Sequence, residues 1–323
     1  MGDKSAIEWT DATWNPVTGC TKVSAGCKNC YAKKVADRFW KERAFTDVRT
    51  HEDRLEQPLH WRKPRKIFVN SMSDLFHEDV PFEFIAAVFG IMAASGHTFQ
   101  VLTKRALRML EFVKWIDSYG GIGCYIRSDE GRAALRVIIG GSSGARIEEI
   151  NGRRWRTSED AWAQVMNAAA CVGRGSPLSN VWLGVSVEDQ KTADERIPLL
   201  LQTPAAVRFV SYEPALRPVD FGRFFWIGEE GGIDWSYKAS QMIQWLICGG
   251  ESGPGARPFN VQWARDVIRQ CKAAGVACFV KQLGRVPFEE FMPQCDHFLG
   301  LDDRKGGDWS EWPSDLKVRE FPR

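Results

Sequence analysis

The chain has 323 residues, a length that suits one large domain or two smaller ones. It is 44% hydrophobic, which is enough for a sizeable core, and its net charge of +2 gives no overall bias toward nucleic acid. The N-terminus lacks the apolar core of a signal peptide, and the apolar run at 84–94 is too short to cross a membrane. We therefore expect a cytoplasmic protein without a disulfide framework or a membrane-spanning segment.

Seven apolar segments that end in polar turns predict strands, at 13–19, 66–74, 98–105, 180–189, 206–214, 243–253 and 276–284. Helical patterns separate several of them, as in PFEFIAAVFGIMAASG and VQWARDVIRQCKAAG. Alternating strands and helices predict parallel βαβ units. We therefore expect an α/β fold, either a full or partial (β/α) TIM-like barrel or, as the alternative, a doubly wound open sheet.

Two segments interrupt this pattern. Residues 118–179 form a polar, Gly- and Arg-rich insertion into the barrel of 1–284, and it contains the helical stretch SEDAWAQVMNAAACV. This insertion is either a lid or partner surface, or an excursion without a catalytic role. Residues 285–323 are rich in Trp and Pro and predict an extended C-terminal segment that wraps along the barrel.

Polar residues collect where the predicted strands end, and in (β/α) barrels the chemistry occurs at this edge. Helix capping accounts for the Ser and Asp residues found there. It accounts poorly for Lys104, Glu213, Glu251 and Lys281, so we expect a functional edge.

Three cysteines, Cys20, Cys27 and Cys30, lie together in the stretch GCTKVSAGCKNCYAKK with the spacing Cys-x6-Cys-x2-Cys. They are structural, or ligands of zinc, or ligands of an iron–sulfur cluster. Structural zinc takes four ligands, commonly in two pairs, and no second Cys-x2-Cys pair exists in the sequence. Three thiolates on a [4Fe–4S] cluster would leave one iron open for a small molecule.

The ending GCKNCYA resembles the cysteine motif of the spore-photoproduct-lyase-like branch of radical S-adenosylmethionine (SAM) enzymes. The commonest spacing in that superfamily has three residues between the first two cysteines, whereas this chain has six. The stretches VLTKR, LGVSVED, SYEPALRP, GGESGPGARP and GGDWSEWP extend the resemblance over most of the chain except 118–179. Together these motifs resemble a phage-associated family of radical-SAM-like proteins of unknown function.

The resemblance implies that Cys20, Cys27 and Cys30 hold a [4Fe–4S] cluster whose open iron binds SAM. It also implies reductive cleavage of SAM to a 5′-deoxyadenosyl radical, which abstracts a hydrogen atom from a substrate. A reductant protein such as flavodoxin or ferredoxin would supply the electron. A dedicated partner protein is a further expectation from the resemblance.

The residues expected to bind SAM or pack beside the cluster are Tyr31, Ser71, Ser73, Asp74, Ser186, Glu188, Gly249 and Gly250. By resemblance, Ser71, Ser73 and Asp74 would accept from the amino group of SAM. From the chemistry of SAM, its carboxylate would suit Lys104 or Ser186, its ribose would suit Glu188 or Glu213, and its adenine would lie near 249–250. The expected catalytic residues are Lys104, Glu213 and Glu251, of which Lys104 could instead bind the SAM carboxylate. For each residue a helix cap or a local ion pair is the alternative.

The stretch from Lys33 to Lys66 contains eleven Lys and Arg residues against six Asp and Glu residues. Its candidate phosphate-binding residues are Lys33, Lys34, Arg62, Lys63, Arg65 and Lys66, and Trp40 and Trp61 could stack on bases. A solvated helix face explains the charges equally well. The branch resemblance favours a nucleobase in DNA or a nucleotide as substrate. The alternatives are an enzyme for a small metabolite or peptide, and a non-enzymatic binding protein stabilised by zinc or an iron–sulfur cluster.

Overall fold

The structure is a computed structural model that describes residues 5–140, 149–150, 153–154, 165, 176–225, 242–292 and 295–322. Contacts divide the chain into two compact units. The first unit comprises 1–21, 32–182 and 203–206, and the second comprises 22–31, 183–202 and 207–323.

The described strands, numbered along the chain, are β1 Ala12–Trp14, β2 Val17–Thr18, β3 Arg49–Thr50, β4 Lys66–Val69, β5 Thr98–Thr103, β6 Glu149–Ile150, β7 Arg153–Arg154, β8 Val181–Val187, β9 Val207–Tyr212, β10 Trp245–Gly249, β11 Phe259–Asn260, β12 Ala277–Gln282, β13 Pro287–Met292 and β14 Cys295–Phe298. The helices are α1 Tyr31–Phe39, α2 Phe82–Ala94, α3 Ala106–Ser118, α4 Ile122–Arg127, α5 Asp129–Gly140, α6 Gln190–Gln202, α7 Gly222–Phe225 and α8 Val261–Ala274.

Seven strands form a parallel sheet in the order β1-β4-β5-β8-β9-β10-β12. The spatial order follows the chain order, so each new strand is added at the same edge. A doubly wound sheet instead reverses its order at a switch point. The predicted α/β class is therefore confirmed, in its partial (β/α) barrel form.

Aromatic residues form the centre of each unit. In the first unit, Trp14 on β1 and Phe99 on β5 are fully buried, and their ring centroids lie 5.8 Å apart. In the second unit, Trp245 on β10 contacts Phe209 on β9 and Phe279 on β12, at 5.6 and 6.0 Å. These aromatic side chains make the interior along the strands apolar, and the polar residues lie at the strand ends.

The predicted insertion begins as ordered helical structure. Helices α4 and α5 both contact α2, so residues 122–140 are packed within the first unit. Farther on, the predicted helical stretch SEDAWAQVMNAAACV lies outside the described residues except for the buried Val165.

The C-terminal segment runs along β12 in the second unit. The backbone NH of Val280 donates to Val318 O at 2.8 Å, and the indole NH of Trp245 donates to Glu320 O at 2.8 Å. Before this, β13 pairs with β11 and β14 in a separate three-stranded sheet. Within the described ranges, every helix is too short or too polar to cross a lipid bilayer.

Candidate cofactor site around the cysteine segment

Cys20 follows β2 in a tight turn of the first unit. Gly19 before it has a φ of +93°, and a methyl group added there would overlap the carbonyl oxygen of Asp47. Only glycine suits this turn, because its φ lies in the left-handed region and the backbone at Asp47 leaves no room for a Cβ atom. The NH of Cys20 donates to Phe45 O at 2.8 Å, which fixes the backbone of this cysteine.

Arg105, which was not among the site residues predicted from the sequence, lies beside Cys20 with only 4% of its side chain exposed. Its guanidinium nitrogen NH1 lies 3.6 Å from Cys20 Sγ and 3.3 Å from an Asp74 oxygen. Its other guanidinium nitrogens also donate: NH2 donates to Thr21 Oγ1 and Nε donates to Glu78, both at 2.9 Å. Burial alone would lower the pKa of Arg105, but Asp74, Cys20 and Glu78 outweigh it and raise the pKa. The cation therefore favours negative charge on Cys20.

Asp74 connects two strand ends of the first unit. Its carboxylate accepts from Thr103 Oγ1 at 2.7 Å and from the backbone NH of Lys104 at 3.0 Å. Ser73 donates to a carbonyl of β2 at 2.9 Å, and Ser71 donates to an asparagine side chain at 3.2 Å. The residues predicted to bind the SAM amino group thus lie at strand ends, where they make these bonds to protein groups.

Glu188 directly follows β8 in the second unit and is fully buried. Its carboxylate pairs with Arg196 at 3.2 Å and accepts from Ser24 Oγ at 2.9 Å. Asp189, the next residue, accepts from the backbone NH of Thr192 at 2.9 Å and so caps the start of α6. The turn from β8 into α6 therefore fixes the carboxylate that was predicted to bind ribose.

Glu251 follows β10 in the motif GGESGPGARP, and its side chain is 7% exposed. It accepts from Nε and NH2 of Arg257 at 3.0 and 2.8 Å, and from Asn29 Nδ2 at 2.9 Å. Gly253 and Gly255 have φ values of +88° and +75°, which lets the motif fold back on itself. Burial alone would raise the pKa of Glu251, but the bonds from Arg257 and Asn29 outweigh it and lower the pKa.

Cys27 and Cys30 belong to the second unit and are partly exposed, reduced thiols. Cys27 ends a short turn of 3-10 helix, and Cys30 immediately precedes α1. Tyr31, which was predicted to pack beside a cluster, begins α1 with 54% of its surface exposed. Both thiols are therefore within reach of an incoming ligand.

Glu213 and Lys281 form an ion pair of 2.6 Å between the ends of β9 and β12. Their side chains are 19% and 17% exposed, so the pair remains accessible. Of the three predicted catalytic residues, Lys104 is also partly exposed, while Glu251 is buried.

The predicted adenine surface at 249–250 is in close contact with the rest of the second unit. A methyl group added at Gly250 would lie 2.5 Å from Leu283 O and 2.9 Å from Phe259 Cβ. Ser186, on β8, is buried, and its carbonyl accepts from Arg196 at 2.7 Å. These residues lie at strand ends as predicted, and their close neighbours here are protein atoms.

The candidate phosphate-binding residues of the first unit lie on two separate elements, helix α1 and the segment that leads into β4. Lys33 and Lys34 lie on α1, and Lys33 pairs with Asp37 at 2.6 Å. By contrast, 62–66 leads into β4 at its amino end, whereas the Asp74 network lies at its carboxyl end. Since β4 has four residues, about 13 Å of strand separates these ends.

The two tryptophans of the basic stretch have partners within the first unit. Trp61 contacts His97 at 5.8 Å between centroids, and Arg65 lies over its ring at 5.1 Å. Trp40 likewise contacts Phe45, at 5.9 Å. Both rings therefore pack in part against protein groups and remain partly exposed, and base stacking by them stays a prediction.

The fold and site define an α/β protein with a partial barrel, polar strand ends and a three-cysteine segment. In the part of the chain that the structure describes, no group of three or more Cys, His, Asp or Glu side chains is arranged to hold a metal ion. The chain belongs to the family described as "Protein of unknown function (DUF5131)", which it matches over residues 4–313. No curated protein and no solved structure matches the chain. The expectation of an uncharacterised family is confirmed.

Proposed function

We propose that the chain is a radical SAM enzyme in which Cys20, Cys27 and Cys30 ligate a [4Fe–4S] cluster. The observation that carries this proposal is the donor set: three partly exposed, reduced thiols within eleven residues. By its chemistry this set fits three irons of a cluster and leaves the fourth for SAM. When bound, the cluster supplies the electron for reductive cleavage of SAM to a 5′-deoxyadenosyl radical. The resemblance to phage-associated radical-SAM-like proteins supports the same assignment.

The protein's own residues would supply charge balance and positioning. Arg105 offsets negative charge on Cys20, because its cation lies 3.6 Å from the sulfur. The accessible pair of Glu213 and Lys281 can hold or move a proton at a bound substrate. Lys104, partly exposed at the end of β5, is the candidate to bind the SAM carboxylate.

As substrate we propose a nucleobase in DNA or a nucleotide. Support comes from the likeness of GCKNCYA to a branch that includes a DNA-lesion lyase, and from Lys33 and Lys34 on the helix that follows Cys30. A reductant protein such as flavodoxin or ferredoxin is the electron donor in this proposal.

Anaerobic reconstitution tests the proposal. The wild-type chain should bind about four irons and four sulfides and release 5′-deoxyadenosine from SAM under dithionite. Alanine at Cys20, Cys27 or Cys30 should abolish that release, because each replacement removes a ligand. Cys124→Ala is the matched control, since Cys124 is an exposed, reduced thiol elsewhere in the chain. A protein that binds one zinc and leaves SAM intact would be a metal-stabilised binding protein and not this enzyme.

A further inference from the structure

Two of the six residues between Cys20 and Cys27, Ser24 and Gly26, lie against the side chain of Glu188, which directly follows β8. Ser24 Oγ donates to Glu188 Oε1 at 2.9 Å. A methyl group added at Gly26 would overlap three atoms of the Glu188 side chain. That side chain cannot move aside cheaply, because it is fully buried and paired with Arg196 at 3.2 Å.

A second contact lies between Cys27 and Cys30. Asn29 Nδ2 donates to Glu251 Oε2 at 2.9 Å and to Gly255 O at 2.8 Å. The two most distinctive motifs of the sequence, CKNCYA and GGESGPGARP, therefore bind each other within the second unit.

Arg257 connects the two contacts. It donates to Glu251 through its backbone NH, Nε and NH2, and its NH1 donates to Ala25 O at 3.0 Å. The segment is thus tied on both sides of Cys27, through the Ala25 carbonyl and the Asn29 side chain, to one ion pair whose carboxylate is buried and whose guanidinium is partly exposed. Ser24 and Gly26 add the contact to Glu188.

We infer that Glu188 and Glu251 are positioning residues for the cysteine segment, and that 24–26 is an anchoring insert that explains the long spacing. Where the inference treats Cys27 and Cys30 as ligands, it rests on the proposed function. Anchoring restricts the conformations of the loop before any ligand arrives, so less entropy is lost when the thiols bind.

Limited trypsin digestion of the full-length, iron-free chain tests the anchoring without a cluster. Cleavage after the exposed Lys22 and Lys28 reports opening of the loop. Gly26→Ala should accelerate this cleavage about tenfold, as expected if the overlap with Glu188 costs about 1.4 kcal/mol of loop closure. Gly300→Ala is the matched control, because a methyl group at Gly300 meets nothing within 4 Å, and it should leave cleavage unchanged.

Asn29→Ala and Ser24→Ala provide variants that add no bulk and each remove a side-chain contact. Both should also accelerate cleavage at Lys22 and Lys28, and Ser24→Thr should restore protection because it keeps the hydroxyl. Wild-type rates in Gly26→Ala, Asn29→Ala and Ser24→Ala, with unchanged thermal unfolding midpoints, would overturn the inference.

A cluster readout separates this inference from the proposed function. After reconstitution, Asn29→Ala and Gly26→Ala should bind less iron than wild type and show an altered electron paramagnetic resonance line shape. If the wild type binds no cluster while the digestion follows the expected pattern, the loop is anchored and the radical SAM proposal is wrong. If both variants retain full iron and the wild-type line shape, Glu188 and Glu251 do not position the ligands.

Discussion

The two parts of the cysteine segment are held by groups of opposite charge. In the first unit, the buried cation of Arg105 lies 3.6 Å from Cys20 Sγ. In the second unit, the buried carboxylates of Glu188 and Glu251 bind Ser24 and Asn29. One cysteine therefore has a charged group at its sulfur, whereas the other two have charged groups at their neighbours in the chain.

This difference separates electrostatic control of the thiolate of Cys20 from conformational control of the backbone around Cys27 and Cys30. A cation in contact with sulfur alters the energy of the thiolate itself. A carboxylate that binds a hydroxyl or an amide two or three residues away fixes the backbone instead. Variants of Arg105 should therefore change the chemistry of Cys20, while variants of Glu251 should change the stability of the loop around Cys27.

Arg105→Met should have the largest effect. The substitution leaves Asp74 buried without its guanidinium partner, and we expect the free energy of unfolding to fall by about 3–5 kcal/mol. Alkylation of Cys20 by iodoacetamide at pH 7 should also slow, about tenfold for each 1.4 kcal/mol of lost charge stabilisation. Urea unfolding and peptide mass spectrometry measure the two quantities.

Two further variants sharpen this prediction. Arg105→Lys keeps the charge and should retain faster alkylation than Arg105→Met, although it cannot form all the bonds of the guanidinium. Arg269→Met removes an arginine whose side chain is 75% exposed, so it should change stability by less than about 0.5 kcal/mol. Equal Cys20 reactivity in wild type and Arg105→Met would show that the cation does not act on the sulfur.

Local sequence patterns were sufficient to predict most of the fold. All seven predicted sheet strands are present, because each is an apolar run bounded by polar turns. The helix predicted at 81–96 spans Phe82–Ala94, with Pro81 at its start. The strand ends were predictable for the same reason, since the polar residues directly follow the apolar runs.

The partners of the site residues were less predictable. Asn29 and Glu251 are 222 positions apart, so only the fold reveals that they meet. Arg105 follows Lys104 directly, and no local pattern indicates which of these two basic side chains turns inward. The pair of Glu251 and Arg257 could have been found, because both lie in one glycine-rich motif that favours a tight turn.

The variant Glu251→Gln tests whether the carboxylate of Glu251 stabilises the loop around Cys27, through the pH dependence of the free energy of unfolding. The folded-state pKa of Glu251 is lowered from 4.5, so its stabilising contribution is present above that value and is lost as the pH falls through the lower pKa. At pH 7 we expect Glu251→Gln to reduce the free energy of unfolding by about 2 kcal/mol, the range for hydrogen bonds to a charged group. The difference should shrink toward zero in acid.

Urea unfolding at pH 7 and at the lowest pH where wild type stays folded measures this difference. Glu195→Gln on α6 is the control, because Glu195 is 56% exposed and should change stability by less than about 0.5 kcal/mol at either pH. A difference between Glu251→Gln and wild type that stays constant down to the acid limit would mean that the charge of Glu251 does not stabilise the loop.

The smallest expected effect distinguishes the two groups of basic residues. Lys34 lies on the helix that follows Cys30, whereas Lys63 precedes the amino end of β4, and both are exposed. If DNA binds near the cysteine segment, Lys34→Gln should reduce the slope of log affinity against log salt by about 0.9, the value for one phosphate contact. Lys63→Gln should leave the slope at its wild-type value, because 62–66 lies at the opposite end of β4 from the Asp74 network. Equal losses in the two variants would indicate diffuse attraction to the whole basic stretch, and a wild-type protein that binds no DNA would exclude DNA as the substrate and leave the nucleotide.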